Sequence, residues 1–275
     1  MEIIVDGLSF GEGPRWHNDK LYFSDFFRHV VNAVGPDGEL EVIAEVPQQP
    51  SGLGWLPDGR MLIVSMLDRK LLRQEADGTL VEHADLGDIA TWHCNDMVVD
   101  AQGRAYVGNF GFDIEEGANA EVKPADLARV DPDGTVNVAA TGLLFPNGTV
   151  ITPDGKILVI GETWGRCLTA FDVATDGKLS NRRVWANLDP HLPDGICLDA
   201  EGAIWVADPL GNCVVRVKEG GEITGKLNTG RGAFACMLGG DDGRSLYICT
   251  AEGTGSEAAG RIEMQRVDVP HAGLP

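Results

Sequence analysis

Short apolar runs separated by glycine turns fill the chain, and their arrangement repeats. Residues 196–198 are apolar, Glu201-Gly202 supplies a turn, and 203–207 is apolar again, which predicts a hairpin led by the carboxylate of Asp194. Ser51, Asn95, Asn147 and Asp194 each stand eight positions before a turn glycine, at 59, 103, 155 and 202. Glu12 stands eight before Lys20, at the end of an Asn18-Asp19-Lys20 turn, and Ala235 eight before Gly243. The glycines are spaced by 44, 52, 47 and 41 residues, a period that belongs to the blades of a β-propeller.

A second turn follows the first within each period: Pro36-Asp37-Gly38, Ala76-Asp77-Gly78, Pro132-Asp133-Gly134, Thr175-Asp176-Gly177 and Gly220-Gly221. Asp-Gly between apolar runs is a strong hairpin cue, so each period predicts four antiparallel strands, A to D. Blade one is expected at 12–16, 21–25, 30–34 and 40–44. Blade two opens at Ser51, with its B strand at 61–65. Blade three opens at Asn95, with 105–109 as its B strand and a long acidic connection at 110–126. Blades four and five open at Asn147 and Asp194. Blade six begins near Ala235, with strands at 246–250 and 261–267, and then lacks a fourth strand. Ile3-Ile4-Val5 has no place in blade one, so it is expected to fill that gap and close the ring. The expectation is an all-β, six-bladed propeller forming one domain over residues 1–275.

Composition narrows the partners. Asp and Glu number 42 against 22 Lys and Arg, a net charge of −20, which repels nucleic acid and anionic membranes and attracts cations. The six cysteines, at 94, 167, 197, 213, 236 and 249, include no Cys-x-x-Cys pair, and most sit among apolar residues. The first residues show neither a basic segment nor a signal-like apolar run, and no stretch reaches the roughly 18 apolar residues of a membrane span. A reduced, cytoplasmic protein is expected, a monomer or weak homodimer acting on a small molecule. The glycine-rich stretch 253–260 lacks the Gly-Lys-[Ser/Thr] ending of a phosphate loop and does not open a helix.

Candidate chemistry follows from the ring. Innermost strands of a propeller start at one mouth, so residues at one repeat offset converge although Glu12 and Asp194 are 182 positions apart. Glu12, Asn95, Asn147 and Asp194 form a hard oxygen set suited to Ca²⁺, Mg²⁺ or Mn²⁺. Ser51 shares the offset but is a poor ligand. The alternative for each residue alone is ordinary Asn-Gly or Asp-Gly turn chemistry. Around the same mouth stand Asn109, Phe110, Glu162, Thr163, Trp164, Asp208 and Phe234. Phe110, Trp164 and Phe234 are candidates for an apolar substrate wall, and Asp208 for a structural role. No Gly-x-Ser-x-Gly elbow points to a serine hydrolase, and no recurring Trp-Asp points to a WD-type scaffold.

Glu12-Gly-Pro, Cys94-Asn95-Asp96, Phe145-Pro-Asn147-Gly148, Ser180-Asn-Arg-Arg-Val, Pro193-Asp194-Gly195 and Trp205-Val-Ala occur in order along the whole chain. In these pieces the sequence resembles the gluconolactonase, senescence-marker-protein (regucalcin) and luciferin-regenerating family. The resemblance implies a six-bladed propeller with one catalytic divalent cation, often Ca²⁺ or Zn²⁺, that hydrolyses lactones or, in related propellers, organophosphates. It implies Glu12, Asn147 and Asp194 as metal ligands and Asn95 as a residue near metal and substrate. Sugar lactonases of the family resemble Arg-x-Asn where this chain has His93-Cys94-Asn95. His93 has fewer donors than Arg and becomes a candidate general base or substrate donor, with a preference for smaller or less hydroxylated lactones and esters. The reading is a metal-dependent lactonase or esterase with Ca²⁺ foremost and Asp194 as base or nucleophile. Its alternatives are an organophosphate hydrolase and a non-catalytic calcium- or small-ligand-binding propeller.

Overall fold

The computed structural model describes residues 1–36 and 38–275; Asp37, in the first predicted C–D turn, lies outside the described residues. Six antiparallel sheets of four strands each follow one another along the chain. Their inner strands are Gly11–His17, Pro50–Trp55, Cys94–Val99, Pro146–Ile151, Ile196–Leu198 and Gly232–Gly239. The sixth sheet takes Glu2–Leu8 as its outer strand, paired with Gly260–Arg266 through Glu2–Met264, Ile3–Glu263, Val5–Ile262 and Leu8–Gly260. The closing strand is thus present and longer than the three residues expected. Its place removes an open edge from the last sheet.

Blade five opens later than expected. Its paired inner strand starts at Ile196, but Asp194 and Gly195 still bond to Ala207 across the hairpin (3.0 and 3.1 Å). Blade six opens earlier, at Gly232. In blade three the long connection carries a short 3₁₀ segment, Ile114–Asn119, capped by Asp113.

Neighbouring inner strands approach backbone to backbone. Gly148 N–H donates to the Asp194 carbonyl (3.2 Å) and Gly195 N–H to that of Phe234 (2.8 Å). A Cβ on Gly52 would lie 2.5 Å from Met97 N, one on Gly148 2.5 Å from Ile196 N, and one on Gly195 2.5 Å from Ala235 Cβ. The glycine after Ser51, Asn147 or Asp194 is therefore not a turn residue, as the dipeptides alone suggest. It clears the space that lets adjacent blades close around the channel.

The C-terminal residues 268–275, absent from the sequence reading, cross the end of the channel opposite the mouth. His271 N–H bonds to Gly243, Ala272 N–H to Leu198, and Leu274 pairs with Ile151 in both directions (2.8 and 2.9 Å). Among the described residues no helix is long and apolar enough to cross a membrane.

Candidate functional site

At the mouth, Glu12, Asn95, Asn147 and Asp194 line one cavity of about 380 Å³. All four are buried, so their polar atoms have little water to turn to. Asn147 Nδ2 donates to Asp194 Oδ1 (2.5 Å) and to Thr163 Oγ1 (3.3 Å), and Thr163 Oγ1 donates in turn to the Pro193 carbonyl (2.7 Å). Glu12 Oε2 accepts from Gly13 N–H (2.8 Å). Asn95 Nδ2 is buried with no partner.

Charge makes the arrangement one-sided. Below the carboxylates Arg15 crosses the channel, donating to Asp96 Oδ1 (2.5 Å), Met97 O (2.6 Å) and Leu53 O (3.0 Å). Arg15 and Asp96 are both buried and neutralise each other. Among the described residues Glu12 and Asp194 are left as two buried carboxylates that form no ion pair. Burial, and then Asp194, push the Glu12 carboxyl well above the usual range. Burial likewise raises Asp194, against the hydrogen bond from Asn147 that favours its ionised form. Two carboxylates that a cation would hold ionised, beside the side-chain oxygens of Asn95 and Asn147, which accept no hydrogen bond among the described residues, fit a hard divalent cation. The residues present therefore suit the metal that the resemblance implies.

Of the residues expected in the wall, His93, Phe110 and Phe234 line the cavity. Trp164 does not: it is 45% exposed, in the turn beyond Glu162. Ser51 is buried away from the lining. The polar residues that end the B strands are loop anchors rather than mouth groups. Asp25 accepts from Ser9 and Phe10 N–H, Glu162 from Leu144 N–H and Thr169, Asn109 from Gly111 N–H, and Asp208 from Gly211 N–H and His191 Nδ1. His191, Asp208 and Cys213 bring three possible metal-binding atoms within 4.8 Å, but Asp208 does there what Asp25 and Glu162 do in their blades.

Several lining residues besides His93, Phe110 and Phe234 escaped the sequence reading although the repeat marks them. Two positions before the ring residues Glu12, Ser51, Asn95 and Asn147 stand Phe10, Gln49, His93 and Phe145, and all four line the cavity. Immediately after the B strands of the first three blades come Phe26, Met66 and Phe110, followed by Phe27 and Leu67 in blades one and two. Gln49 and Phe145 hold φ of +62° and +61°, a conformation that costs about 1–3 kcal/mol for a residue with a side chain and that aims both at the cavity.

The chain belongs to the SMP-30/gluconolactonase/LRE-like family, whose model matches residues 10–252. It is 31% identical to the pentonolactonase XacC of Haloferax volcanii, over 99% of this chain and 95% of that protein. It is 30% identical to regucalcin of Danio rerio, over 90% and 85% of the two chains. A solved luciferin-regenerating enzyme superposes with a TM-score of 0.84 over 98% of this chain and 96% of that one, at 19% identity.

Proposed function

We propose that the chain, working as one domain, is a divalent-cation-dependent hydrolase that opens a lactone at the channel mouth. The observation that carries this reading is the pair of buried carboxylates, Glu12 and Asp194, left unneutralised beside Asn95 and Asn147. Those four residues hold the cation, with Ca²⁺ the best match to an all-oxygen set and Mg²⁺, Mn²⁺ or Zn²⁺ as alternatives. When bound, the cation polarises the lactone carbonyl and stabilises the developing oxyanion.

The chain's own groups do the rest. Asp194, fixed by the Asn147 amide, takes a proton from the attacking water as the water oxygen bonds to the carbonyl carbon. The ring C–O bond then breaks and Asp194 returns the proton to the departing alkoxide, giving a hydroxy acid. The apolar wall limits competing water around the carbonyl. Names of relatives support the substrate class: one is a pentonolactonase. Six free cysteines, five of them buried, suit a reducing compartment.

A panel of γ- and δ-lactones tests the proposal on protein stripped with chelator and then given Ca²⁺, Mg²⁺, Mn²⁺ or Zn²⁺ in turn. Acid release is expected with at least one cation and none without. No release with any cation leaves a propeller that binds without turnover.

A further inference from the structure

We infer that the lactone opened here is uncharged and carries an apolar group, alkyl or aryl, which seats against one sector of the mouth. This rests on the lactonase reading above and names its substrate class. The cavity is not uniform around the ring. Its polar floor is shared by blades one, three, four and five, whereas the wall is mostly apolar over blades one and two and is continued by Phe234 of blade six on one side and by Phe110 and Phe145 of blades three and four on the other. Phe10 meets Phe26 at 5.3 Å and Phe234 at 4.7 Å between ring centroids, and Phe27 at 6.2 Å. Phe26 joins this group to a second, in which Met66 packs with Phe110 and Phe145, whose rings stack at 4.7 Å. The result is a continuous apolar face leading outward from the carboxylates.

Charge and hydrogen bonding agree with that face. With the cation on the floor offsetting Glu12 and Asp194, the charge left in the wall is Glu115, and among the described residues no Lys or Arg lines the cavity, so a carboxylate or sulfonate on the substituent finds no counter-charge in the wall. A sugar lactone turned toward the phenylalanines exchanges its hydroxyls' water for rings that offer no partner. Gln49 and His93 sit at one side of the wall, and among the described residues their side chains make no hydrogen bond, leaving enough for a ring oxygen or one hydroxyl. An apolar substituent instead gains transfer free energy for every methylene it buries against the sector.

The experiment measures kcat/KM of the full chain, loaded with its best cation, on γ-lactones that differ only in alkyl chain length, beside an aldonolactone of equal ring size. Each added methylene is expected to raise kcat/KM by about fourfold until the sector is filled, and the longer alkyl lactones to exceed the aldonolactone. Phe27→Ser, at a half-buried position, and Met66→Gln are expected to flatten the dependence on chain length. A flat or falling series in the wild-type protein, or a preferred aldonolactone, overturns the inference while leaving the lactonase reading in place. Failure to open any lactone takes down both.

Discussion

Asp194→Asn is expected to lower lactone turnover by about 10²-fold or more, the usual contribution of a positioned proton acceptor. The substitution keeps the size of the side chain and an oxygen that can face a cation. It removes the acceptor of the water's proton and one of the two surplus charges at the channel floor. It also leaves the Asn147 amide facing a second amide instead of the carboxylate it now meets at 2.5 Å. Stability should move the other way. Without cation the wild-type protein buries two carboxylates whose charged forms burial, and then neighbouring carboxylates, disfavour. The chelator-stripped variant should therefore melt no lower than the stripped wild type, while gaining less when cation is added. Steady-state rates and paired melting curves check both statements. A wild-type rate would reduce Asp194 to a structural residue.

His93→Arg is expected to shift the ratio of kcat/KM toward aldonolactones and away from apolar lactones by roughly 5- to 100-fold, the range of about 1–3 kcal/mol for a well-placed polar contact. His93 is partly buried against Trp92, at 4.8 Å, and edge-on to Phe110, at 6.1 Å. Burial lowers its pKa, so near neutral pH the ring is uncharged and offers one donor and one acceptor. A guanidinium at the same place offers five donors in a plane. His93→Ala separates the possible roles of the native ring: loss of a general base lowers kcat for every lactone, whereas loss of a specificity contact lowers only some. If neither variant changes the ranking of substrates or kcat, His93 is a bystander.

The ring was readable because it is written in turns. Asp-Gly pairs and the glycines at 59, 103, 155, 202 and 243 mark hairpins through local backbone preference, so sheet count and strand order follow from spacing alone. The convergence of Glu12, Asn95, Asn147 and Asp194 followed from their common offset. What escaped depends on contacts that carry no local pattern. The tail at 268–275 binds backbone groups at strand ends, which any sequence supplies. The link between Arg15 and Asp96 spans 81 positions and breaks the repeat, because Asp96 stands where four of the other five blades have glycine. Trp164 follows its B strand as Phe27 and Leu67 follow theirs, yet in blade four Thr163 is drawn to Pro193 and Asn147 and Trp164 lies exposed. Of the wall, His93, Phe110 and Phe234 were read and Phe10, Gln49 and Phe145 were not, although these three share the offset of His93 as plainly as the floor residues share theirs.

The most direct test of the account is a titration of chelator-stripped protein with Ca²⁺, followed by calorimetry and by melting temperature. The account predicts one ion bound per chain and a higher melting temperature, corresponding to about 2.7 kcal/mol at a hundredfold excess over Kd. It also predicts reversal by chelator together with loss of lactone hydrolysis, and weakened binding in Glu12→Gln. No binding heat from Ca²⁺, Mg²⁺, Mn²⁺ or Zn²⁺, an unchanged melting curve and full hydrolysis in excess chelator would contradict it.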